Sequence, residues 1–192
     1  MSEGRAMAEK NRCWGEPQIF TDYHDFEWGR PARDDGRLFE MLSLECMQAG
    51  LSWLTILKKR DAFRRAFDGF DIETVAGYGD ARIEELMGDA GIVRNRLKIH
   101  AIIANARAIR KIQDECGSFA DYLWGFVGGT PVIGGGEWPP TTPLSDTISA
   151  DLKRRGFKFV GSTIVYAFLQ AVGIVNDHKR DCFVFRELQG GE

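Results

Sequence analysis

Four side chains able to bind a metal fall into two pairs at opposite ends of the chain. Cys13 and His24 lie near the start with ten residues between them; His178 and Cys182 lie near the end with three between them. The sequence holds only three histidines and four cysteines, so these pairs take two of each. Thiolate and imidazole suit tetrahedral zinc, and a His-x-x-x-Cys spacing can put both ligands on one face of a helical turn. Most of the chain separates the pairs, which is not a zinc-finger spacing. A zinc held here would clasp the two ends together. Four protein ligands would leave no position for water, so it would be structural and not a catalytic hydrolase centre. Spacing alone leaves a second reading open, in which two buried cysteines and two surface histidines are unrelated.

Glu45 is the residue hardest to explain as scaffold. It stands seven positions after Leu38 and three after Leu42, inside the apolar stripe of its own helix. A carboxylate there must be paired or hydrogen-bonded, because an isolated buried charge is prohibitively costly. One reading is an acid at the helix end, paired with a nearby Lys or Arg. The other is the floor of a ligand pocket, where a perturbed carboxyl beside aromatic rings is a site candidate. Trp14, Phe20, Tyr23, Trp28 and Trp53 cluster around it in the sequence. Core packing is the alternative use for such rings.

The elements that must position these groups read as helices. Asp34 or Asp35 can cap one running to about Gln48, with Leu38, Met41, Leu42 and Ala49 on one face. Ser52 can cap the next, whose stripe is Trp53, Ile56, Leu57, Phe63 and Phe67. Shorter helices are expected from Asp71 and from Asp80, and a long one from Asn95 to Asp114 with Ile99, Ile102, Ile103, Ala106 and Ile109 inward. Ser118 to Asp121 opens another; Ser145 is expected to cap a helix that Gly156 ends. From Gly128 to Pro143, nine of sixteen residues are glycine or proline, which reads as a loop of little fixed structure. Ser162 to Val172 is apolar on nearly every side and reads as a central buried helix, although its β-branched run also allows a strand. The fold class is all-α.

Asp80 to Asp89 and Asn95 to Asp114 are joined by Ala90-Gly91-Ile92-Val93-Arg94, a helix-hairpin-helix pattern. Free N–H groups in such a turn can receive a phosphate, and Arg94, Arg96 and Lys98 stand beside it. An ordinary turn between two helices is the competing reading. The net charge of −3 and pI near 5.7 argue against a strongly basic nucleic-acid binder. Further basic clusters at Lys58 to Arg60, Arg64-Arg65, Arg107 with Arg110-Lys111, and Lys153 to Arg155 with Lys158 could still form a local positive face. Each is equally readable as a solvated helix face.

With 192 residues and 44% hydrophobic content, one helical domain over 12–186 is expected, between flexible ends at 1–11 and 187–192. No apolar run is long enough to span a membrane, and no signal-peptide core is present. Few cysteines in a polar-ended chain point to a reducing cytoplasm, with Cys46 and Cys116 as buried or half-buried free thiols. A monomer is expected.

Five segments carry a resemblance in order along the chain: 21–29 around Tyr23-His24, 44–53 from Leu44-Glu45 to Ser52-Trp53, 89–94 in the hairpin turn, 155–161, and Asn176-Asp177-His178. Together they resemble the 3-methyladenine DNA glycosylase I family, over about Arg12 to Cys182. The resemblance implies excision of 3-methyladenine from alkylated double-stranded DNA by a monofunctional hydrolase, with one structural zinc. It implies that Glu45 contacts the extruded base and that Tyr23, Trp28, Trp53, Gln48, Phe20 and Trp14 surround it. It implies DNA contacts through Gly91, Val93, Arg94 and Arg96, with Gly50-Leu51 filling the gap left in the duplex. A hairpin module that binds damage without excising it is the alternative; it would not need the Glu45 pocket. Departures from the family pattern are a Cys13–His24 segment about two residues short, Phe20 in place of a tyrosine, and a divergent segment after Cys182.

Overall fold

A computed structural model describes residues 10–190, so the expected flexible ends lie largely outside the described residues. Ten α-helices among the described residues make the scaffold: α1 Gln18–Phe26, α2 Asp35–Gln48, α3 Trp53–Ala66, α4 Ile72–Ala76, α5 Asp80–Gly88, α6 Arg96–Cys116, α7 Phe119–Gly125, α8 Pro143–Arg154, α9 Ser162–Ala171 and α10 Phe183–Leu188. The ends are tied down more tightly than expected. Phe183 N–H donates to Asn11 O, Glu187 lies within α10, and its carboxylate pairs with Arg30 at 2.8 Å.

Helix starts follow the capping residues. Asp34, Ser52, Asp71, Asn95 and Ser118 each accept a backbone N–H from the residue three positions on. The start of α8 differs from expectation: Thr142 is the cap, and Ser145 answers it by accepting from the Thr142 N–H at 2.8 Å. Pro143 fits the first helical position, where its missing N–H costs nothing.

The hub is α2. Every residue from Leu38 to Met47 is buried, because α3, α6, α7 and α9 surround it. The sequence suggested a one-sided stripe here and an all-round buried helix at α9. Instead α9 is helical but leaves Thr163 exposed. Tertiary ties fix α2 at both ends. Asp35 accepts N–H bonds from Phe119 and Ala120 at the start of α7, and the Lys98 ammonium on α6 donates to Met47 O and Ala49 O at 2.9 and 2.5 Å. Lys98 therefore neutralises the carbonyl end of α2 and is buried, so it is withdrawn from the basic face proposed for it.

The loop expected over 128–143 is partly ordered. Val132–Ile133 (β1) pairs in parallel with Val175–Asn176 (β2), and Gly136 N–H donates to the Asp177 carboxylate at 2.9 Å. Gly134 permits this: a Cβ there would lie 2.1 Å from Asp177 Oδ1. No helix among the described residues is long and apolar enough to cross a membrane.

A second expected basic face also turns inward. Arg60 is buried on α3 and pairs with Glu40 and Glu27 at 2.8 Å each; Arg64 reaches Glu40 too. Burial pushes the Glu40 carboxyl up, yet bonds from Arg60 and Arg64 outweigh it and hold the group below its usual range. Glu40→Ala leaves the Arg60 guanidinium buried with a partner lost. It is expected to destabilise the fold by about 3–5 kcal/mol in urea unfolding, the size typical of breaking a buried pair. A change under about 1 kcal/mol would assign the pair the weight of a surface contact.

Candidate active site and metal cluster

The two end motifs do meet. His24 lies in the last turn of α1, Cys13 in the segment before it, His178 after β2, and Cys182 at the N-cap of α10. The His178–Cys182 segment is a turn closed by Cys182 N–H to Lys179 O, not the helical turn the spacing suggested. One ligand atom from each of the four side chains lies within 4.8 Å of all the others, and three of the four residues are fully buried.

The donor set fits a tetrahedral cation. Sulfur to ring-nitrogen separations are 3.4 Å for Cys13–His178, 3.5 Å for Cys182–His24 and 3.6 Å for Cys182–His178. Zinc–sulfur and zinc–nitrogen bonds of ~2.3 and ~2.05 Å at tetrahedral angles give an edge of ~3.6 Å. The outer nitrogens are already used: His178 Nε2 donates to Trp28 O at 3.0 Å and His24 Nδ1 to Asp25 at 2.8 Å. That leaves His178 Nδ1 and His24 Nε2 as lone pairs facing the sulfurs. Burial pushes the Asp25 carboxyl up, but Arg12 and His24 hold it below its usual range. The hydrogen bond with Cys13, and after the cost of burial those with His178 and His24, hold the Cys182 thiol far below its usual range. Gly29 is required here. Its φ is +75°, and a Cβ would stand 2.6 Å from His178 Nε2. Of the other thiols, Cys46 is buried as expected and Cys116 is exposed, contrary to expectation.

Beside this cluster lies a cavity of about 230 Å³ lined by Trp14, Tyr23, Trp28, Glu45, Gln48, Trp53, Trp138, Ala167 and Gln170. It is smaller than the ~300–1,000 Å³ of drug-sized ligand sites and suits one small planar ring system. Six of the seven residues expected around the base, Glu45 included, therefore converge. Phe20 does not: it lines a neighbouring groove with Gly15 and Glu16, on the far side of Trp14 and Trp53. Trp138, Ala167 and Gln170 were missed. The first lies in the segment read as formless, and the others on a helix whose lining face no sequence period singles out.

Glu45 sits one turn from the end of α2, and its carboxyl is pushed up to about 8 by burial alone. No charged partner offsets that cost, so the acid-paired-at-a-helix-end reading fails. The Tyr23 hydroxyl is likewise buried without a hydrogen-bond partner. An unsatisfied hydroxyl and an unpaired carboxyl beside four tryptophans mark a place shaped for a polar, planar ligand.

The expected DNA-contacting residues separate by availability. Arg94 is exposed at the hairpin turn. Arg96 is engaged by Glu84 at 2.6 and 2.9 Å. The Gly91 N–H is taken by Asp89 at 2.7 Å, and a Cβ on Gly91 would meet Ala62 of α3 at 3.1 Å, so this glycine serves close packing of the hairpin on α3. Lys59 clamps the same turn by donating to Ala90 O and Gly91 O. Val93 is half-buried. Gly50, with φ +80°, turns the chain between α2 and α3 and leaves Leu51 41% exposed beside the cavity residues Gln48 and Trp53.

The scaffold is a mostly helical protein with one aromatic, carboxyl-floored cavity and a short turn joining α5 to α6. The sequence matches the methyladenine glycosylase family over residues 14–186, and the chain belongs to that family. It is 48% identical over 177 residues to DNA-3-methyladenine glycosylase 1 of Escherichia coli K12, covering 89% of this chain and 95% of that protein. Its identity to the Haemophilus influenzae DNA-3-methyladenine glycosylase is 44% over 178 residues, 89% of this chain and 96% of that one. A solved 3-methyladenine DNA glycosylase I superposes with a TM-score of 0.86 at 47% identity, over 90% of this chain and 98% of the other. A Staphylococcus aureus structure described for 3-methyladenine recognition gives 0.85 at 39%, over 88% and 92%.

The Glu45 carboxyl titrates higher in the folded chain than in the unfolded one, so protonation favours folding. Its stabilising effect is complete at low pH and is lost as pH rises from about 4.5 toward about 8. Glu45→Gln is expected to flatten that decline and to exceed the parent in stability above about pH 8. Urea midpoints across the pH range provide the check; parallel curves for the two proteins would refute the assignment.

Proposed function

We propose that this protein hydrolyses the N-glycosidic bond of 3-methyladenine in alkylated duplex DNA, releasing the free base and leaving an abasic site. The observation that carries the reading is the unpaired Glu45 carboxyl in a box of tryptophans, with a pKa near 8. An adenine methylated at N3 is cationic while still bound to the sugar. Entry of that cation favours the Glu45 carboxylate, which can pair with it and accept a hydrogen bond from its exocyclic amine. The indole faces of Trp14, Trp28 and Trp53 add cation–π attraction. Neutral adenine draws neither benefit and meets a site that must bury an acid for nothing, so selection rests on charge.

The alkylated base is already a good leaving group, so the protein's work is to extrude the nucleotide, hold the cation and admit water to the sugar C1′. No lysine is among the residues lining the cavity, which supports hydrolysis without a Schiff-base intermediate. The hairpin between α5 and α6 acts as the DNA grip: Arg94 meets a phosphate, while Arg96 must first leave Glu84. Gly50-Leu51 would fill the gap in the duplex, a reading the 41% exposure of Leu51 supports. Cys13, His24, His178 and Cys182 would hold one zinc, whose chemistry is structural because four protein ligands close the site.

Methylated duplex DNA incubated with the purified protein should release free 3-methyladenine, measured by chromatography of the free bases. Glu45→Ala should cut the rate by about ten- to a hundred-fold, the scale of one charged hydrogen bond at roughly 1.5–3 kcal/mol. Absence of base release by the parent protein would overturn the function. Elemental analysis should find about one zinc per chain, and chelation should lower the melting temperature. A metal-free chain of unchanged stability would remove zinc from the account.

A further inference from the structure

The cavity has one wall from the far end of the chain. Trp138 stands with Ala167 and Gln170 among the residues lining the Glu45 cavity, whereas Trp14, Tyr23, Trp28 and Trp53 all come from the first third of the sequence. It lies in the glycine- and proline-rich segment between α7 and α8, yet its position is fixed. The indole N–H donates to Asp177 O at 2.9 Å, one residue before His178. Its ring meets Trp28 edge-to-face, with centroids 6.2 Å apart at 81°. The Lys179 ammonium lies 5.5 Å from its centroid.

Its backbone is strained, with φ +50° in a bulky aromatic residue. Such a conformation persists only where neighbouring structure over-determines it, and it is most often retained where position matters to function. The neighbours here are the β1–β2 pairing, the Gly134 approach to Asp177, and the Gly136 N–H bond to the same carboxylate. All three strap the segment onto residues 175–177. A large ring held this way at 38% exposure is not merely filling the core.

We propose that Trp138 is a specificity-determining contact of the glycosylase site, a fourth indole that packs against the extruded alkylated base and closes the cavity beside Trp28. Its only hydrogen-bonding group is spent on Asp177 O, so it offers the base carbon surface and ring electrons alone. Those favour a cationic, methyl-bearing purine over a neutral one without reading any polar edge. This inference rests on the proposed function and sharpens which residues select the substrate.

The experiment compares the parent with Trp138→Ala and Trp138→Phe in the full-length protein. Three readouts are taken: affinity for free 3-methyladenine by tryptophan fluorescence, single-turnover excision from methylated DNA, and binding of undamaged duplex. The alanine variant should lose about five- to thirty-fold in base affinity, the scale of losing one stacked ring. Excision should fall through a weaker apparent DNA affinity at low concentration more than through the saturated rate. Phenylalanine should restore most of both, and undamaged duplex binding should stay within twofold of the parent. Base affinity and excision equal to the parent in Trp138→Ala would overturn the proposal. So would equal losses in all three readouts for both variants, which would make Trp138 a strap for the segment and nothing more. Failure of the parent itself to excise would refute the broader function, and is told apart by the parent arm.

Discussion

Everything in this molecule that handles a base depends on the meeting of residues 13–28 with residues 177–182. Three of the four clustered side chains are tied to a wall of the cavity. Cys13 precedes Trp14, His24 follows Tyr23, and His178 donates to the carbonyl of Trp28 while its neighbour Asp177 holds Trp138. These walls therefore adjoin, or are hydrogen-bonded to, a buried cluster that places them with precision. Loops would not give that precision, because few contacts oppose their motion. Holding the walls from the cluster lets α2 approach from inside the fold and deliver Glu45 to the floor.

The energetics of the floor are unusual within an otherwise well-paired protein. Glu40, one turn earlier on the same helix, is buried too, but three arginines surround it and hold it ionised. Glu45 receives none of this and is held up near 8. Two acids on one helix thus behave oppositely because of what faces them. The first locks α2 to α3. The second has no such partner, and a perturbed carboxyl of this kind is what marks a cavity as a site candidate.

Positive charge is likewise divided. Lys98 and Arg60 looked available from the sequence and are consumed inside the protein, on helix carbonyls and on Glu40, while Arg64 reaches Glu40 from the surface. Lys59 and Gly91 hold the hairpin against α3. Lys58, Arg65, Arg94, Lys153 and Lys158 remain exposed, within a net charge of −3.

The helices, their caps and the identity of the four clustered ligands were legible in the sequence because each is written in local chemistry. Asp34, Ser52, Asp71, Asn95 and Ser118 announce helix starts by spacing alone, and Cys and His are rare enough here to stand out. Glu45 was legible because a charge inside an apolar stripe contradicts its surroundings. Tertiary structure decided the rest. Whether a basic side chain faces solvent or a carbonyl end, as with Lys98, depends on which helix packs against it. Trp138 entered the cavity through a two-residue parallel strand pair and two glycines, Gly134 packed on Asp177 and Gly136 on Lys179, and none of these leaves a period in the sequence. Local patterns fix what a segment can form; only the closing of distant segments on one another fixes what it faces.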